Sequence, residues 1–394
     1  MNDIPFLPVE RIYYGANVIQ LHLIEEIKKL NAKNVIIVTT RSLLQTDLYK
    51  QLHELLISQD LNVLVTLSKQ HVKSESLFEN IGEIKSHKPD LVISCGGGSA
   101  IDTGKVLSLI VSEGITNEEE LFSYSLQGSN KSVETVKLIP HLSISTTLSA
   151  GDFTSLAGVS CDTNGMKYIF SNVKLTPKIC FLDPVYTIET PEQLWLSSGI
   201  RAVDHAVETL YSPKKNPINT SLALDALKKL YTYMPLSKEE PSNLDYRLQC
   251  QLGAWMSLFS NVNIKMGLSH SIGHQLGSQY NITHGITSAI MLPHVMKFLL
   301  PKTFEEQATI TDALNAGKPG MSIKEKADLA PMLIKDLIIR LSIPHQLRQF
   351  NVQKSSLEKT VENISAEILG DASSYLLNIN ELKKDVYSLL ENAW

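Results

Sequence analysis

The residues best able to do chemistry gather in the second half of the chain. His270 and His274 are four apart, so they share a helix face. His284 follows beside a glycine, and His205 lies upstream in the run Gly199-Ile-Arg201-Ala-Val-Asp204-His205-Ala-Val-Glu208. Imidazoles grouped in this way suit either a metal site or acid–base work near neutral pH. Taken singly, each histidine is as readily a core or solvated residue. The glycines crowding His270, His274 and His284 point to a site, because they let a ligand come close.

A second constellation lies in the first half. Gly96-Gly97-Gly98-Ser99 directly follows the apolar run DLVISC and opens the helical stretch 100–111. Three glycines let the backbone approach a ligand, and the free N–H groups at a helix start face an anion. A diphosphate suits that geometry, although a plain strand–helix turn would read the same. The spacing is neither G-x-G-x-x-G nor the P-loop pattern, so neither fingerprint applies. Ser145-Thr146-Thr147-Leu148-Ser149 follows another strand-like run and offers hydroxyls to complete a cofactor site.

These residues need elements to position them. Residues 21–30, 48–57 and 77–86 have helical spacing, whereas 34–39, 61–67 and 90–95 read as strands rich in β-branched residues. Helix and strand alternating at these intervals imply crossover connections and a parallel sheet. Residues 137–144 and 178–182 fit later strands, and 123–135 reads as a polar surface loop. Beyond Asp183-Pro184 the pattern becomes helical, as at 221–231, 244–258, 332–341 and 382–390, with Pro191, Pro235, Pro241 and Pro344 at expected helix boundaries. The fold expected is an N-terminal α/β dinucleotide-binding domain with a parallel sheet over 1–185, then an all-α substrate domain over 186–394.

The bulk properties exclude several classes. The 394 residues carry a formal net charge of −5 and no basic run, so nucleic acid is not an expected partner. Cys95, Cys161, Cys180 and Cys250 are scattered without a C-x-x-C pair, which fits reduced thiols rather than a disulfide framework. No stretch approaches the roughly 20 apolar residues of a membrane span, and the N-terminus lacks a secretory apolar region. A cytoplasmic location is expected.

Four segments together resemble the iron-containing alcohol dehydrogenase superfamily: GGGSAIDTGK (96–105), STTLSAGDFT (145–154), GIRAVDHAVE (199–208) and GLSHSIGHQLGSQYNITHG (267–285). The resemblance runs nearly full length, and MLPHV (291–295) extends it. It implies NAD or NADP as cofactor, an active site in the cleft between the two domains, and a homodimer. Gly96, Gly97, Gly98, Ser99 and Asp102 from the first segment, with Thr146, Thr147 and Ser149 from the second, match the cofactor site. Lys167 matches a lysine near the nicotinamide ribose. The position that selects NAD in the family is Thr40 here, followed by Arg41, so both cofactors should be tolerated and NADPH favoured.

Members of the family hold a divalent metal, iron or zinc, with one aspartate and three histidines. The matching residues are Arg201, His205, His270 and His284, so any metal would have His205, His270 and His284 as ligands, with arginine in the aspartate's place. A guanidinium has no lone pair to give. At about 5 Å from a dication, with an effective dielectric near 20, its repulsion is about 6–7 kcal/mol. Metal-free operation is therefore expected, as in the maleylacetate reductase branch, which also lacks the aspartate. Asp204, three residues on, could pair with Arg201 and leave it no substrate role. Otherwise Arg201 would join the three histidines in a cationic pocket able to hold a carboxylate. His274 matches the family's proton-transfer histidine. The activity expected is hydride transfer between NAD(P) and a small oxo, enone or alcohol substrate bearing negative charge. Three alternatives stay open: a metal-dependent alcohol dehydrogenase, a dehydroquinate synthase-like lyase, and a silent nucleotide-binding protein.

Overall fold

The computed structural model describes residues 4, 6–129, 131–133, 137–164, 166–259, 262, 264–370 and 376–394. Compact packing divides them into two units that meet in sequence at residues 190 and 191. In the first unit the strands are β1 (Arg11–Tyr14), β2 (Asn34–Thr39), β3 (Asn62–Leu67), β4 (Leu91–Gly96), β5 (His141–Ser145), β6 (Leu156–Ser160), β7 (Lys167–Ser171) and β8 (Ile179–Leu182). Six form a wholly parallel sheet in the order β1-β8-β5-β4-β2-β3, and β6 and β7 make a separate antiparallel hairpin. The helices are α1 (Val18–Lys29), α2 (Asp47–Ile57), α3 (Ser74–Phe78), α4 (Ile81–His87), α5 (Gly98–Glu113) and α6 (Glu118–Phe122).

The central strands β2, β4 and β5 are buried nearly throughout, as a sheet covered by helices on both faces requires. Apolar residues of one face pack with α1 and α2, and those of the other with α5. Strand β1 was not legible, because its RIYY sequence is short and amphipathic and lies at the sheet edge. Buried Glu26 of α1 secures that edge by accepting hydrogen bonds from Arg11 and Tyr13, at 2.7 and 2.6 Å. The single helix expected at 77–86 is broken into α3 and α4, and residues 79 and 80 part them. Within the expected loop, 123–129 and 131–133 are irregular. Residues 130, 134 and 135 lie outside the described residues.

Gly104 of α5 leaves room for the His141 ring, since a Cβ there would fall 2.7 Å from Nε2. His141 shares a 2.8 Å hydrogen bond with the Ser94 hydroxyl, and burial pushes its pKa down to about 3. The unfolded chain takes up this proton near pH 6.5, whereas the folded chain resists until about pH 3. Stability is thus intact above 6.5 and lost as pH falls, by up to about 1.4 kcal/mol per pH unit for this group. His141→Gln should flatten that slope when urea unfolding is measured across a pH series.

The second unit is helical: α7 (Glu192–Tyr211), α8 (Pro217–Glu239), α9 (Leu244–Ser257), α10 (Leu268–Tyr280), α11 (His284–Ala313), α12 (Ile323–Arg340), α13 (Leu357–Gly370) and α14 (Leu382–Asn392). Pro191 is the N-cap of α7, and Pro241 and Pro344 fall outside helices. Pro235 departs from expectation, because it lies inside α8 rather than at its boundary. The helix runs only four residues past it, to Glu239, so the proline sits in the last turns. Among the described residues, no helix is long and apolar enough to cross a membrane. All four cysteines are buried and free.

Candidate active site

In the α/β unit, β4 delivers the chain to Gly97, which caps α5 without any side-chain hydrogen bond. The first amides of a 16-residue helix are therefore left for another acceptor. The turn after β5 is tied alongside, with Thr146 N–H donating to Gly96 O at 3.0 Å. Gly97 is required by this close approach, since a Cβ would lie 2.9 Å from Thr147 Cγ2. A Cβ on Gly98 would fall 3.4 Å from Ser149 Oγ. Thr147 Oγ1 and Ser149 Oγ are buried and make no hydrogen bond among the described residues. Two orphaned hydroxyls beside uncapped amides fit a group with several acceptor oxygens, as a diphosphate has.

Asp102, one turn into α5, accepts from Gly158 N–H at 3.1 Å, which ties the helix to β6. Burial raises its pKa, and the charges of Lys105 and Lys167 oppose that rise. Lys167 thus lies within electrostatic reach of Asp102 and begins β7. Thr40 and Arg41 follow β2; the Thr40 hydroxyl is 3.1 Å from Ser42 Oγ, and Arg41 is exposed.

In the helical unit, Arg201, Asp204, His205 and Glu208 lie on α7, His270 and His274 on α10, and His284 opens α11. The four imidazoles form a row, with ring centroids 5.0 Å apart for His205–His270, 6.1 Å for His270–His274 and 5.5 Å for His274–His284. His284 is the first residue of α11, with Thr283 as N-cap. His205 Nδ1 is buried without a hydrogen-bond partner among the described residues. Burial drives the pKa of both His205 and His270 well below the usual value, so both rings are neutral. His274 is the more accessible ring, 38% exposed, and its Nδ1 lies 3.0 Å from Glu367 Oε1.

Arg201 does not stand alone. Its Nη1 donates to Ser288 Oγ at 3.1 Å and lies 3.5 Å from Asp204 Oδ2. The same Oδ2 accepts from Ser269 and Ser288 hydroxyls, at 3.0 and 2.5 Å. Glu208 accepts from the Gly267 and Ser269 amides, at 2.8 and 2.7 Å, and faces His270 Nδ1 at 2.9 Å. Burial raises the pKa of both carboxylates. The pocket is thus not simply cationic: one guanidinium faces two buried carboxyl groups, because α7 places Asp204 one turn along. No other Arg201 donor makes a hydrogen bond to a described residue.

Asp204, Glu208 and His270 bring ligand atoms within 4.8 Å of one another. Yet both Glu208 oxygens are engaged, His270 Nδ1 faces Glu208, and Asp204 offers only Oδ1 without a partner. The neighbouring guanidinium repels any cation placed there. These hydrogen bonds occupy both Glu208 oxygens, Asp204 Oδ2 and His270 Nδ1.

Four groups, one in the first unit and three in the second, escaped the sequence reading. Lys105 and Glu208 lie inside quoted motifs, but nothing in their spacing marks their partners. Ser288 and Glu367 are distant in sequence, and only folding brings them in.

A wholly parallel six-stranded sheet covered by helices, followed in sequence by a helical unit, is the architecture of the first and second halves of the chain. Residues 9–184 match the family described as iron-containing alcohol dehydrogenase, and 195–394 match the C-terminal domain of the same family. The chain belongs to the iron-containing alcohol dehydrogenase family and is an oxidoreductase. It is 26% identical over 369 residues to the NAD-dependent methanol dehydrogenase of Bacillus methanolicus, covering 93% of this chain and 94% of that one. It is 27% identical over 329 residues to the maleylacetate reductase of Pseudomonas sp. (strain P51), covering 83% and 84%. The solved structure of an alcohol dehydrogenase from Oenococcus oeni superposes with a TM-score of 0.90 at 24% identity, over 100% of both chains.

Proposed function

We propose that this oxidoreductase uses NAD or NADP to reduce, or in reverse to form, a small carbonyl or conjugated C=C compound bearing a carboxylate, without a resident metal. The observation that carries the reading is Arg201, buried where the family places its metal-binding aspartate and neutralised from within by Asp204. The methanol dehydrogenase relative is NAD-dependent by name, and the maleylacetate reductase relative acts on a carboxylate-bearing substrate by name.

A bound nicotinamide supplies or accepts the hydride. The amides of Gly98 and Ser99 and the hydroxyls of Thr147 and Ser149 would hold its diphosphate, Asp102 and Lys167 would serve the ribose, and Thr40 and Arg41 would serve the adenosine. As hydride reaches the electrophilic carbon, negative charge builds on oxygen or on the α-carbon. His274 delivers the balancing proton, and its Nδ1 contact with Glu367 leaves Nε2 for that task. A neutral imidazole carries a single N–H; on His270 it faces Glu208, so His205 is the ring left to offer an N–H to the growing charge. The donors of Arg201 beyond Nη1 are suited to a carboxylate oxygen.

Turnover should persist within about twofold in excess chelator, with metal content well below one ion per chain, in a screen following reduced-nicotinamide absorbance. Activity that vanishes with chelator and returns with iron or zinc would overturn the metal-free reading and favour a metal-dependent alcohol dehydrogenase. The same screen should show NADPH used at least as well as NADH.

A further inference from the structure

Lys105 lies on α5 within two turns of the Gly98 and Ser99 amides, and it is wholly buried. Lysine is almost never buried in full unless its charge is matched. Here Nζ donates to Gly151 O at 2.7 Å, to Leu156 O at 2.7 Å and to Thr154 Oγ1 at 3.0 Å. Three acceptors use the three ammonium protons. Burial lowers the Lys105 pKa, and the charges of buried Asp102 and Asp152 oppose that fall. A methionine of similar length would fill the same volume without the desolvation cost, so the specific gain lies in the directed bonds.

Those bonds tie α5 to residues 151–156. That segment continues directly from the turn whose Thr147 and Ser149 hydroxyls meet Gly97 and Gly98, and a Cβ on Gly151 would lie 3.8 Å from Gly98 Cα. Lys105 therefore bridges the two halves of the cradle, the helix amides on one side and the hydroxyl turn on the other. Ser145 Oγ, at the foot of the same turn, donates to Asp152 Oδ2 at 2.8 Å, so the turn is held from both ends.

We propose that Lys105 is a positioning residue for dinucleotide binding, setting the separation between the α5 amides and the Thr147–Ser149 hydroxyls. This rests on reading the cradle as a diphosphate site. The ammonium does not touch the ligand, and Asp102 and Asp152 offset its charge, so its effect is geometric.

The test compares wild type, Lys105→Met and Thr154→Val by titrating each with NADPH and NADH and following nucleotide fluorescence, with cofactor KM and kcat from turnover. Lys105→Met should weaken cofactor binding about tenfold or more, the equivalent of losing about 1.4 kcal/mol of charged hydrogen bonding. Thr154→Val, which removes one of the three lysine acceptors and the hydroxyl's own bonding to Gly151 O and Leu156 O, should weaken it about threefold and keeps the test open should the lysine variant fold poorly. The loss should appear in cofactor Kd and KM, with kcat at saturating cofactor largely retained. A lysine that only stabilises the fold would lower the melting temperature of both variants and leave the Kd of the folded protein unchanged, which would overturn the proposal alone. A wild type that binds neither dinucleotide would overturn the cradle reading and the proposal together.

Discussion

Arg201→Asp is expected to make the melting temperature depend on divalent metal, which the wild-type protein's should not. In the wild type the guanidinium gives a dication about 5 Å away no lone pair and at most about 6–7 kcal/mol of repulsion at an effective dielectric near 20, a figure that Asp204 reduces. The substitution removes that repulsion and adds an anionic ligand beside His205, His270 and His284. Even if desolvation cancels most of the gain, a drop in Kd of about a thousandfold needs only about 4 kcal/mol. At a metal concentration about 100 times Kd, binding stabilises the fold by about 2.7 kcal/mol, or roughly 5–10 °C for a unit of this size. Without metal the variant should be less stable than wild type, since the new carboxylate joins buried Asp204 and Glu208 with no cation between them. Melting each protein with zinc, with iron(II) and with chelator reads both halves. An equal metal-dependent rise in the wild type would show that Arg201 does not exclude the ion.

The contrast between what the sequence disclosed here and what it concealed has a physical basis. Strand β2 was readable to the residue because Val35–Val38 form an unbroken apolar β-branched run between Asn34 and Thr39, and helices cover both of its faces. The hairpin β6–β7 was not, because LAGVS and KYIFS are short and each carries several half-buried or exposed positions. The motif glycines and histidines stood out through composition and local spacing, which survive in one dimension. The Arg201–Asp204 pair was foreseeable from its i, i+3 spacing, yet whether Asp204 would turn towards the guanidinium depended on Ser269 and Ser288, contributed by other helices. Clamps such as Lys105 on Gly151 and Leu156 use backbone carbonyls, which leave no mark on side-chain identity.

Gly285→Ala is expected to cost about 3 kcal/mol or more and to abolish turnover out of proportion to that loss. A Cβ at this position would stand 2.2 Å from Ser197 O and 2.5 Å from Ser197 C. Both are backbone atoms in the interior of α7, so no rotamer change can relieve the clash. The alternatives are to push α7 and α11 apart by about an ångström or to unwind the first turn of α11, and close-packed interiors resist both. Either response separates His205 and Arg201 on α7 from His284 and Ser288 on α11, because Gly285 directly follows His284. The cradle lies in the other unit and should be unaffected. Urea unfolding should therefore show the destabilisation, and cofactor titration of the folded variant should give a wild-type Kd, while kcat falls by about a hundredfold as catalytic groups shift by an ångström. Wild-type kcat in the folded variant would mean that the histidine row tolerates helix displacement and that proton transfer depends on groups outside it. A parallel loss of cofactor affinity would instead mean that the two units do not respond separately, so that a change in helix packing reaches the nucleotide.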